Sequence, residues 1–382
     1  MMKNELSDEV YERRFKPKKE DIRGVFFRDQ TAIVHSLPFR RLKRKTQVFF
    51  APDNDHICTR IEHVLHVFTN STTISKGLIN KGWELDVEMA QAIALGHDIG
   101  HAPFGHAGEE VLNKIVERET NGENSFHHEI NSLRFVDHIA EKGKGLKLTF
   151  GVRDGIVSHC GEKLEQFIEP DWEVKKLEDI GKLDKYPSSY EGCIVRVADK
   201  ISSLGRDMED ATELGIINAK EFPNDILDYL GIKPSDVKYQ FNRALLNKII
   251  YDIINTTDSK GKVGMSNDGF EIIKNINTFS EENIYKAKKI NDYKYYVAVI
   301  LCNIYDSLSE LFDKHDFNIE DYKNCFIKSY QEFGDYLKAY KEFYGKFNTG
   351  KTQILADYIS GMSDNYAIGF SMDISIPKAV FK

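Results

Sequence analysis

The sequence predicts an all-α fold with, at most, short minor strands. In the first half of the 382-residue chain, apolar residues recur at intervals of three and four, as in Ile61, Val64 and Phe68, which indicates amphipathic helices. Residues 215–345 have a mainly helical pattern as well, and no Pro/Ser-rich linker interrupts the chain. We therefore expect one compact helical unit rather than independent domains.

Local patterns predict the order of the elements. Residues 1–55 form a basic, irregular segment whose end, residues 46–50, is a candidate short strand. An amphipathic helix is expected over 59–81, and the next begins at Asp86, a residue type that favours the N-cap position. The tail over 370–382 is expected to be extended. The remaining helices are predicted at 111–118, 125–142, 150–158, 190–204, 239–255, 293–312 and 351–362.

Composition and charge limit the class of protein. Hydrophobic residues make up 41% of the chain and charged residues 29%, a balance typical of globular proteins. The formal net charge of −8 argues against extended nucleic-acid binding, which needs a basic face. The five cysteines form no C-x-x-C pair and the N-terminus lacks an apolar signal core, so we expect free thiols and a cytoplasmic protein. The most apolar run, 295–302, is far shorter than the roughly 20 residues of a membrane span, so no membrane partner is expected.

Histidines are concentrated in one part of the chain. Nine of the twelve lie between residues 56 and 138, and the run from 97 to 109 contains His97, Asp98, His101, His106 and Glu109. Three glycines and a proline in the same run predict a helix end that turns into a tight loop, where a substrate can approach the backbone. A polar helix–loop junction is the alternative, but this density of ionisable groups favours a metal site with an attached acid/base site.

Two residues from other predicted helices complete a ligand set with His97 and Asp98. His63 lies on the 59–81 helix, and Asp199 lies on a largely apolar helix where a lone carboxylate is costly unless it is paired or binds a cation. Two imidazoles and two carboxylates suit a divalent ion such as Mn, Fe, Co, Ni or Zn, or Mg with retained waters.

The other histidines and Glu109 exceed what one ion needs. His101, His106 and His128, together with Glu109, are suited to donate to a charged phosphate and to supply a proton to a leaving oxygen. His127 is adjacent to His128, and helix phase leaves open which of the two faces the site.

The pattern His63…His97-Asp98…Asp199 resembles the HD-domain superfamily of metal-dependent phosphohydrolases, and the run 97–109 resembles its deoxyguanosine triphosphate triphosphohydrolase family. The resemblance implies an HD-domain helical bundle with C-terminal helical elaborations. It divides the chain into a basic segment for substrate or interface (1–55), an HD metallohydrolase core (56–215) and a helical region packed on that core (216–382). The motifs that carry it keep the family's order; they lie at 39–42, 45–49, 59–63, 126–134, 191–210 and 357–366.

The activity implied by the resemblance is cleavage of a deoxynucleoside triphosphate, with dGTP expected first, between the sugar oxygen and the α-phosphate. The products would be the deoxynucleoside and tripolyphosphate. His106, paired with Glu109, would be the general acid/base at the leaving 5′ oxygen, and His101 and His128 would polarise the α-phosphate region. The implied metal ligands are His63, His97, Asp98 and Asp199.

Five residues would bind the substrate by the same resemblance. Arg60 and Lys200 would contact phosphates, and Gln47 and Asp207 would read the deoxyribose with its 3′-OH. Tyr285 would face the sugar or the base.

One position departs from the family pattern. Many members have a tyrosine four residues after the last metal aspartate, whereas this chain has Ser203. This difference bears on how tightly the ribose packs and how strictly substrates with a 2′-OH are rejected.

Residues outside this set have simpler interpretations. Three histidines are expected to be structural or surface residues: His66, His138 and His159. Three arginines suit a phosphate contact or, preferably, a subunit interface, because the family tends to form symmetric homo-oligomers: Arg40, Arg41 and Arg44.

Two other functions compete with dNTP hydrolysis. One is another HD phosphohydrolase that acts on monophosphates or cyclic nucleotides, and the other is a nucleotide sensor or single-stranded nucleic-acid binder built on the HD fold. A regulatory nucleotide is also a possible partner.

Overall fold

The computed structural model describes residues 2–19, 21–159, 164–180 and 185–376, and it confirms the predicted all-α fold. The α-helices are α1 (Asp8–Glu12), α2 (Val25–Val34), α3 (Leu37–Arg41), α4 (Arg60–Ile79), α5 (Val87–Gly96), α6 (Gly105–Glu119), α7 (His128–Arg134), α8 (Ala140–Gly143), α9 (Phe150–Val157), α10 (Tyr190–Glu213), α11 (Asn224–Leu230), α12 (Val237–Lys260), α13 (Asn267–Ser280), α14 (Lys288–His315), α15 (Ile319–Lys323), α16 (Lys328–Phe347), α17 (Lys351–Ser360) and α18 (Asp364–Ser375).

Minor elements complete the described chain. Strands β1 (Phe167–Ile168) and β2 (Val263–Gly264) pair antiparallel, with Phe167 opposite Gly264. Single π-helical turns cover Phe135–Ile139 and Glu281–Tyr285. Short 3₁₀ turns lie at Leu42–Arg44, Leu177–Asp179, Ala219–Glu221 and Pro234–Asp236. None of the helices in the described part of the chain is long and apolar enough to cross a membrane.

Helix starts follow the expected capping chemistry. At the start of α4, the backbone N–H of Thr59 donates to Glu62 Oε2 at 2.8 Å, which forms half of a capping box. Asp86 caps α5 by accepting a hydrogen bond from the Met89 backbone N–H, as predicted. Ser189 caps α10 in the same way.

Four element predictions were wrong. Residues 46–50 form no strand; only an isolated bridge joins Thr46 to Thr59. α6 starts at Gly105 rather than at 111, and the predicted helix 125–142 starts later and is broken by the π turn and by left-handed residues near 141. The expected extended tail is helical up to Ser375, and residues 377–382 lie outside the described residues.

The core that positions the site lies between α4, α5 and α10, which pack against one another and are covered by α2, α9 and α12. Val64 and Ile74 of α4, Ile93 of α5 and Ile201 of α10 have no exposed surface. Each such side chain contributes about 1.5–3 kcal/mol on burial. This packing brings the start of α4, the end of α5 and the middle of α10 together.

Polar contacts attach the C-terminal helices to the N-terminal half. Arg134 of α7 forms two hydrogen bonds of 2.6 Å with Asp357 of α17. Asp364, at the start of α18, accepts hydrogen bonds from the backbone N–H and hydroxyl of Thr46 at 2.7 and 2.6 Å, and from the Phe104 N–H at 2.7 Å. One buried carboxylate therefore holds two loops from the first third of the chain.

We predict that Asp364→Ala lowers the free energy of unfolding by about 2–4 kcal/mol, because buried donors of Thr46 and Phe104 lose their acceptor. Urea unfolding followed by circular dichroism measures this change. Asn365→Ala, at the exposed next position, is the matched control. A change in the Asp364 variant no larger than that of the control would contradict this role.

Candidate active site

The four residues predicted to bind a metal ion come together at the junction of α4, α5 and α10. His63 lies on α4, His97 and Asp98 follow the last turn of α5, and Asp199 lies on α10. Asp199 Oδ1 is 2.9 Å from His63 Nε2 and 3.9 Å from His97 Nε2. Asp98 Oδ2 is 3.9 Å from His63 Nε2 and 3.6 Å from His97 Nε2.

The donor set fits a divalent ion. His97 Nδ1 lies 2.7 Å from the carbonyl oxygen of Ala94, which can only accept, so the ring proton is on Nδ1 and Nε2 presents a lone pair to the cluster. That Nε2 is buried and has no hydrogen-bond partner among the described residues, and burial lowers the pKa of His97 to about 4. An unpartnered nitrogen beside two carboxylates is the arrangement expected where a cation binds.

Both carboxylates of the cluster are held ionised. Burial opposes ionisation of Asp98, but the Arg60 guanidinium and the neighbouring histidines outweigh it and keep the pKa of Asp98 well below its usual range. Burial likewise opposes ionisation of Asp199, and its hydrogen bond with His63 lowers the pKa of Asp199 nonetheless. The cluster therefore presents anionic oxygens, the ligand type that divalent cations favour.

The second cluster comprises His101, His106, Glu109 and His128. His106 and Glu109 lie within the first five residues of α6 rather than on the glycine-proline turn predicted for them, and His128 is the first residue of α7. Glu109 Oε1 accepts hydrogen bonds from the backbone N–H of His128 at 2.8 Å and from its Nδ1 at 2.9 Å. Glu109 Oε2 lies 3.4 Å from His106 Nδ1 and 3.6 Å from His101 Nε2.

Carboxylates give these histidines different charges. Burial opposes protonation of His128, but Glu109 and Glu129 outweigh it and raise the pKa of His128 to about 10. Burial and the nearby Arg60 hold the pKa of His101 well below its usual range, so this ring is neutral. The site therefore stacks a cationic imidazole on a neutral one, with ring centroids 4.3 Å apart.

Exposure separates His106 from the rest. Its side chain is 65% exposed, whereas that of His101 is fully buried and that of His128 nearly so. His106 is therefore the member of this cluster that a substrate reaches first from solvent.

Two glycines of the 97–109 run lie where another backbone segment comes too close to leave room for a side chain. A Cβ at Gly100 would lie 2.2 Å from the Ser132 nitrogen, and a Cβ at Gly108 would lie 1.8 Å from the Pro103 carbonyl oxygen. Glycine at these positions lets α7 pack on the loop after α5 and lets α6 start beside Pro103.

The residues predicted to bind substrate differ in their burial and in their hydrogen-bond partners. Asp207 of α10 is buried and accepts a 2.7 Å hydrogen bond from the Tyr285 hydroxyl. Gln47 Oε1 is buried and has no partner among the described residues, and Lys200 is half-buried beside Asp199. Arg60 donates from all three guanidinium nitrogens: to Asp98, to the Thr46 carbonyl and to the Gln47 carbonyl. These bonds make Arg60 a support for the cluster, while its phosphate contact stays a prediction.

Three positions singled out in the sequence have clear places in the structure. His128 lies in the cluster, whereas His127 is the half-buried residue that precedes α7. Ser203 bonds to the Lys200 carbonyl on its own helix. His159, predicted to be a structural or surface residue, is buried, and its ring lies 4.9 Å from that of His97. The sequence contains one pattern that His159 shares with the predicted ligand His97, because each of these histidines ends an apolar helical segment.

Comparisons with known proteins agree with this geometry. The HD domain family matches residues 60–204. A deoxyguanosinetriphosphate triphosphohydrolase-like protein of Clostridium tetani is 33% identical over 98% of this chain and 92% of the relative. Proteins of the same name from Caldanaerobacter subterraneus and Desulfatibacillum aliphaticivorans are each 32% identical, over 95% and 93% of this chain and 88% and 89% of theirs. These similarities support a phosphohydrolase role, and the His/Asp cluster is able to bind a metal ion.

We predict a pH-dependent effect of Asp207→Asn on stability. Burial raises the pKa of Asp207 from 3.8 to about 6, so the folded state holds this proton more tightly and the stability contribution is lost as pH rises through 6. The variant should match the wild type near pH 4. It should be more stable at pH 8 by on the order of 3 kcal/mol, since one pKa unit corresponds to about 1.4 kcal/mol.

Urea unfolding at pH 4, 6 and 8 tests this prediction. The amide oxygen that the substitution introduces can still accept from the Tyr285 hydroxyl, so the variant isolates the effect of the charge. Asp55→Asn, at an exposed position, serves as the control. An equal difference between variant and wild type at all three pH values would show that Asp207 does not carry the buried charge.

Proposed function

We propose that this chain, which belongs to the deoxyguanosinetriphosphate triphosphohydrolase-like family, hydrolyses deoxynucleoside triphosphates, dGTP first among them, to the deoxynucleoside and tripolyphosphate with the help of a divalent ion. The observation that carries this proposal is the sharing of Asp98 by the two clusters. Its Oδ2 belongs to the metal-ligand set, and its Oδ1 lies 3.8 Å from Nε2 of His128. A phosphate next to the ion therefore also lies next to the acid/base groups.

The residues present suggest the metal ligands and the chemistry of the ion. His63, His97, Asp98 and Asp199 would hold it. When bound there, a divalent ion supplies positive charge close to a phosphate oxygen as a Lewis acid. Mn, Mg, Fe, Co, Ni and Zn all remain candidates for this position.

The second cluster then acts on the α-phosphate and on the leaving oxygen. The cationic ring of His128, fixed by Glu109, stabilises negative charge on the phosphate. His101 adds a neutral ring next to it. His106 is the proton donor to the 5′ oxygen, because it is exposed on the substrate side and its Nδ1 is oriented by Glu109.

The sugar would be read by Asp207 with its bonded Tyr285, and by Gln47 with its unpartnered amide oxygen. Lys200 would contact phosphate. Ser203, where a tyrosine is frequent in the family, leaves less side-chain bulk against the ribose. We therefore expect weaker discrimination against ribonucleotides than a tyrosine would give. The proposal also includes a cytoplasmic homo-oligomer.

The product identity tests the reaction. Incubation with dGTP and Mn²⁺ should release deoxyguanosine and tripolyphosphate in equal amounts, as resolved by anion-exchange chromatography. The same assay with the other dNTPs and with NTPs, singly and in mixtures, gives base preference and any activation by a second nucleotide. Release of pyrophosphate or orthophosphate alone would overturn the proposal and favour a different nucleotide phosphohydrolase.

Single substitutions should separate the two clusters. His106→Ala and His128→Ala should lower kcat by about 10²–10⁴-fold, the range for loss of an acid/base group, while Mn²⁺ binding measured by calorimetry persists. Asp98→Ala should abolish both turnover and Mn²⁺ binding. His127→Ala is the matched control because it lies next to His128 but outside the cluster. Full turnover by His106→Ala would instead show that another group is the proton donor, whereas a wild type that binds nucleotides without turnover would favour a nucleotide-sensing function.

A further inference from the structure

His159 is a buried histidine next to the site that the proposed mechanism does not use. It follows the last turn of α9 and is 1% exposed. Its ring centroid lies 4.9 Å from that of His97 and 5.4 Å from that of His128. It therefore lies next to one residue of the metal-ligand set and one of the acid/base cluster.

The orientation of the His159 ring matches that of His97. Nδ1 of His159 lies 2.6 Å from the Ile156 carbonyl, three residues back, and Nδ1 of His97 makes the equivalent contact with Ala94 at 2.7 Å. Since a carbonyl only accepts, Nδ1 carries a proton in both rings, which leaves Nε2 as the ring nitrogen that a metal ion can reach. This second hydrogen bond is the usual means by which proteins orient a metal-binding histidine.

A ligand atom of His159 lies close to two members of the metal-ligand set. One ligand atom each from His97, Asp98 and His159 all lie within 4.8 Å of one another. Imidazole nitrogens and a carboxylate oxygen at this spacing are a ligand combination that first-row divalent ions accept.

We propose that His159 is a further protein ligand for a divalent ion in this cluster, in addition to His63, His97, Asp98 and Asp199. The proposal rests on the metal site of the proposed function and adds one nitrogen ligand to it. It links α9 to the ion directly, so that four helices rather than three supply or flank the ligands.

Mn²⁺ titration of the full-length, metal-free protein tests the proposal. Isothermal calorimetry should show at least about tenfold weaker Mn²⁺ binding for His159→Asn and His159→Ala, the scale seen when a metal site loses a supporting contact. Asn keeps a side-chain N–H close to the Ile156 carbonyl but lacks an atom at the Nε2 position. A histidine needed only for packing and for the Ile156 bond would tolerate Asn better than Ala.

Pulsed electron paramagnetic resonance of bound Mn²⁺ provides a second readout that does not depend on activity. Both variants should show one coordinated imidazole nitrogen fewer than the wild type. His159→Gln, whose amide oxygen reaches toward the Nε2 position, should recover part of the affinity without that nitrogen signal. His127→Ala should behave as wild type.

The outcomes separate this proposal from the proposed function. If the wild type binds Mn²⁺ and His159→Asn binds it equally tightly with the same number of nitrogens, His159 is not a ligand and the four-residue site stands. If the wild type itself binds no Mn²⁺, both proposals fall. Circular dichroism of each metal-free variant checks the fold. The test remains valid if only one of the His159→Asn and His159→Gln variants folds.

Discussion

The carboxylate of Asp98 is the constraint around which the site is built. Burying an isolated carboxylate costs several kcal/mol even after relaxation, so each of its oxygens needs a partner. Oδ2 contacts the Arg60 guanidinium, and Oδ1 faces His128. Arg60 in turn needs acceptors for its other nitrogens, and the carbonyls of Thr46 and Gln47 supply them. The N-terminal segment thus belongs to the site, because its carbonyls accept hydrogen bonds from Arg60 and Arg60 in turn pairs with the Asp98 carboxylate.

Charge distribution in the histidine cluster follows from where carboxylates sit. His128 is protonated because Glu109 and Glu129 flank it, and His101 is neutral because it is buried with Arg60 and His128 as nearby positive charges. His97 is neutral because its burial dominates. Similar side chains thereby obtain the separate properties that metal ligation and phosphate stabilisation need. This division of roles depends on tertiary contacts across α5, α6 and α7, not on local sequence.

The sequence was most informative where chemistry and periodicity coincide. Helical spacing predicted α4, α5 and α10, and the costly placement of Asp199 on an apolar helix linked it to the distant His63. The start of α6 was missed because three glycines and a proline are poor helix formers, and tertiary packing overrides that preference.

Other features of the site depend on tertiary contacts that the pattern of residues along the chain does not show. His159, like His97, ends an apolar helical segment, but that pattern does not show that α9 packs on α5 and brings the two rings together. The engagement of Arg60 by Asp98 requires knowing that residues 60 and 98 meet. The division of the chain at residues 55 and 215 stays a prediction.

The C-terminal motif also acts through the loops that carry the site. Lys45 is fully buried, and its ammonium group donates to the carbonyls of His101 and Ser360, while burial lowers the pKa of Lys45 to about 7. Asp364 holds Thr46 and Phe104, the residues after Lys45 and before the first turn of α6. The end of α17 and the start of α18 are therefore bonded to both sides of the backbone that presents His101 and His106. A change in these C-terminal residues should therefore act on the orientation of the acid/base groups, and through Thr46 and Arg60 it should also reach the metal ligand Asp98.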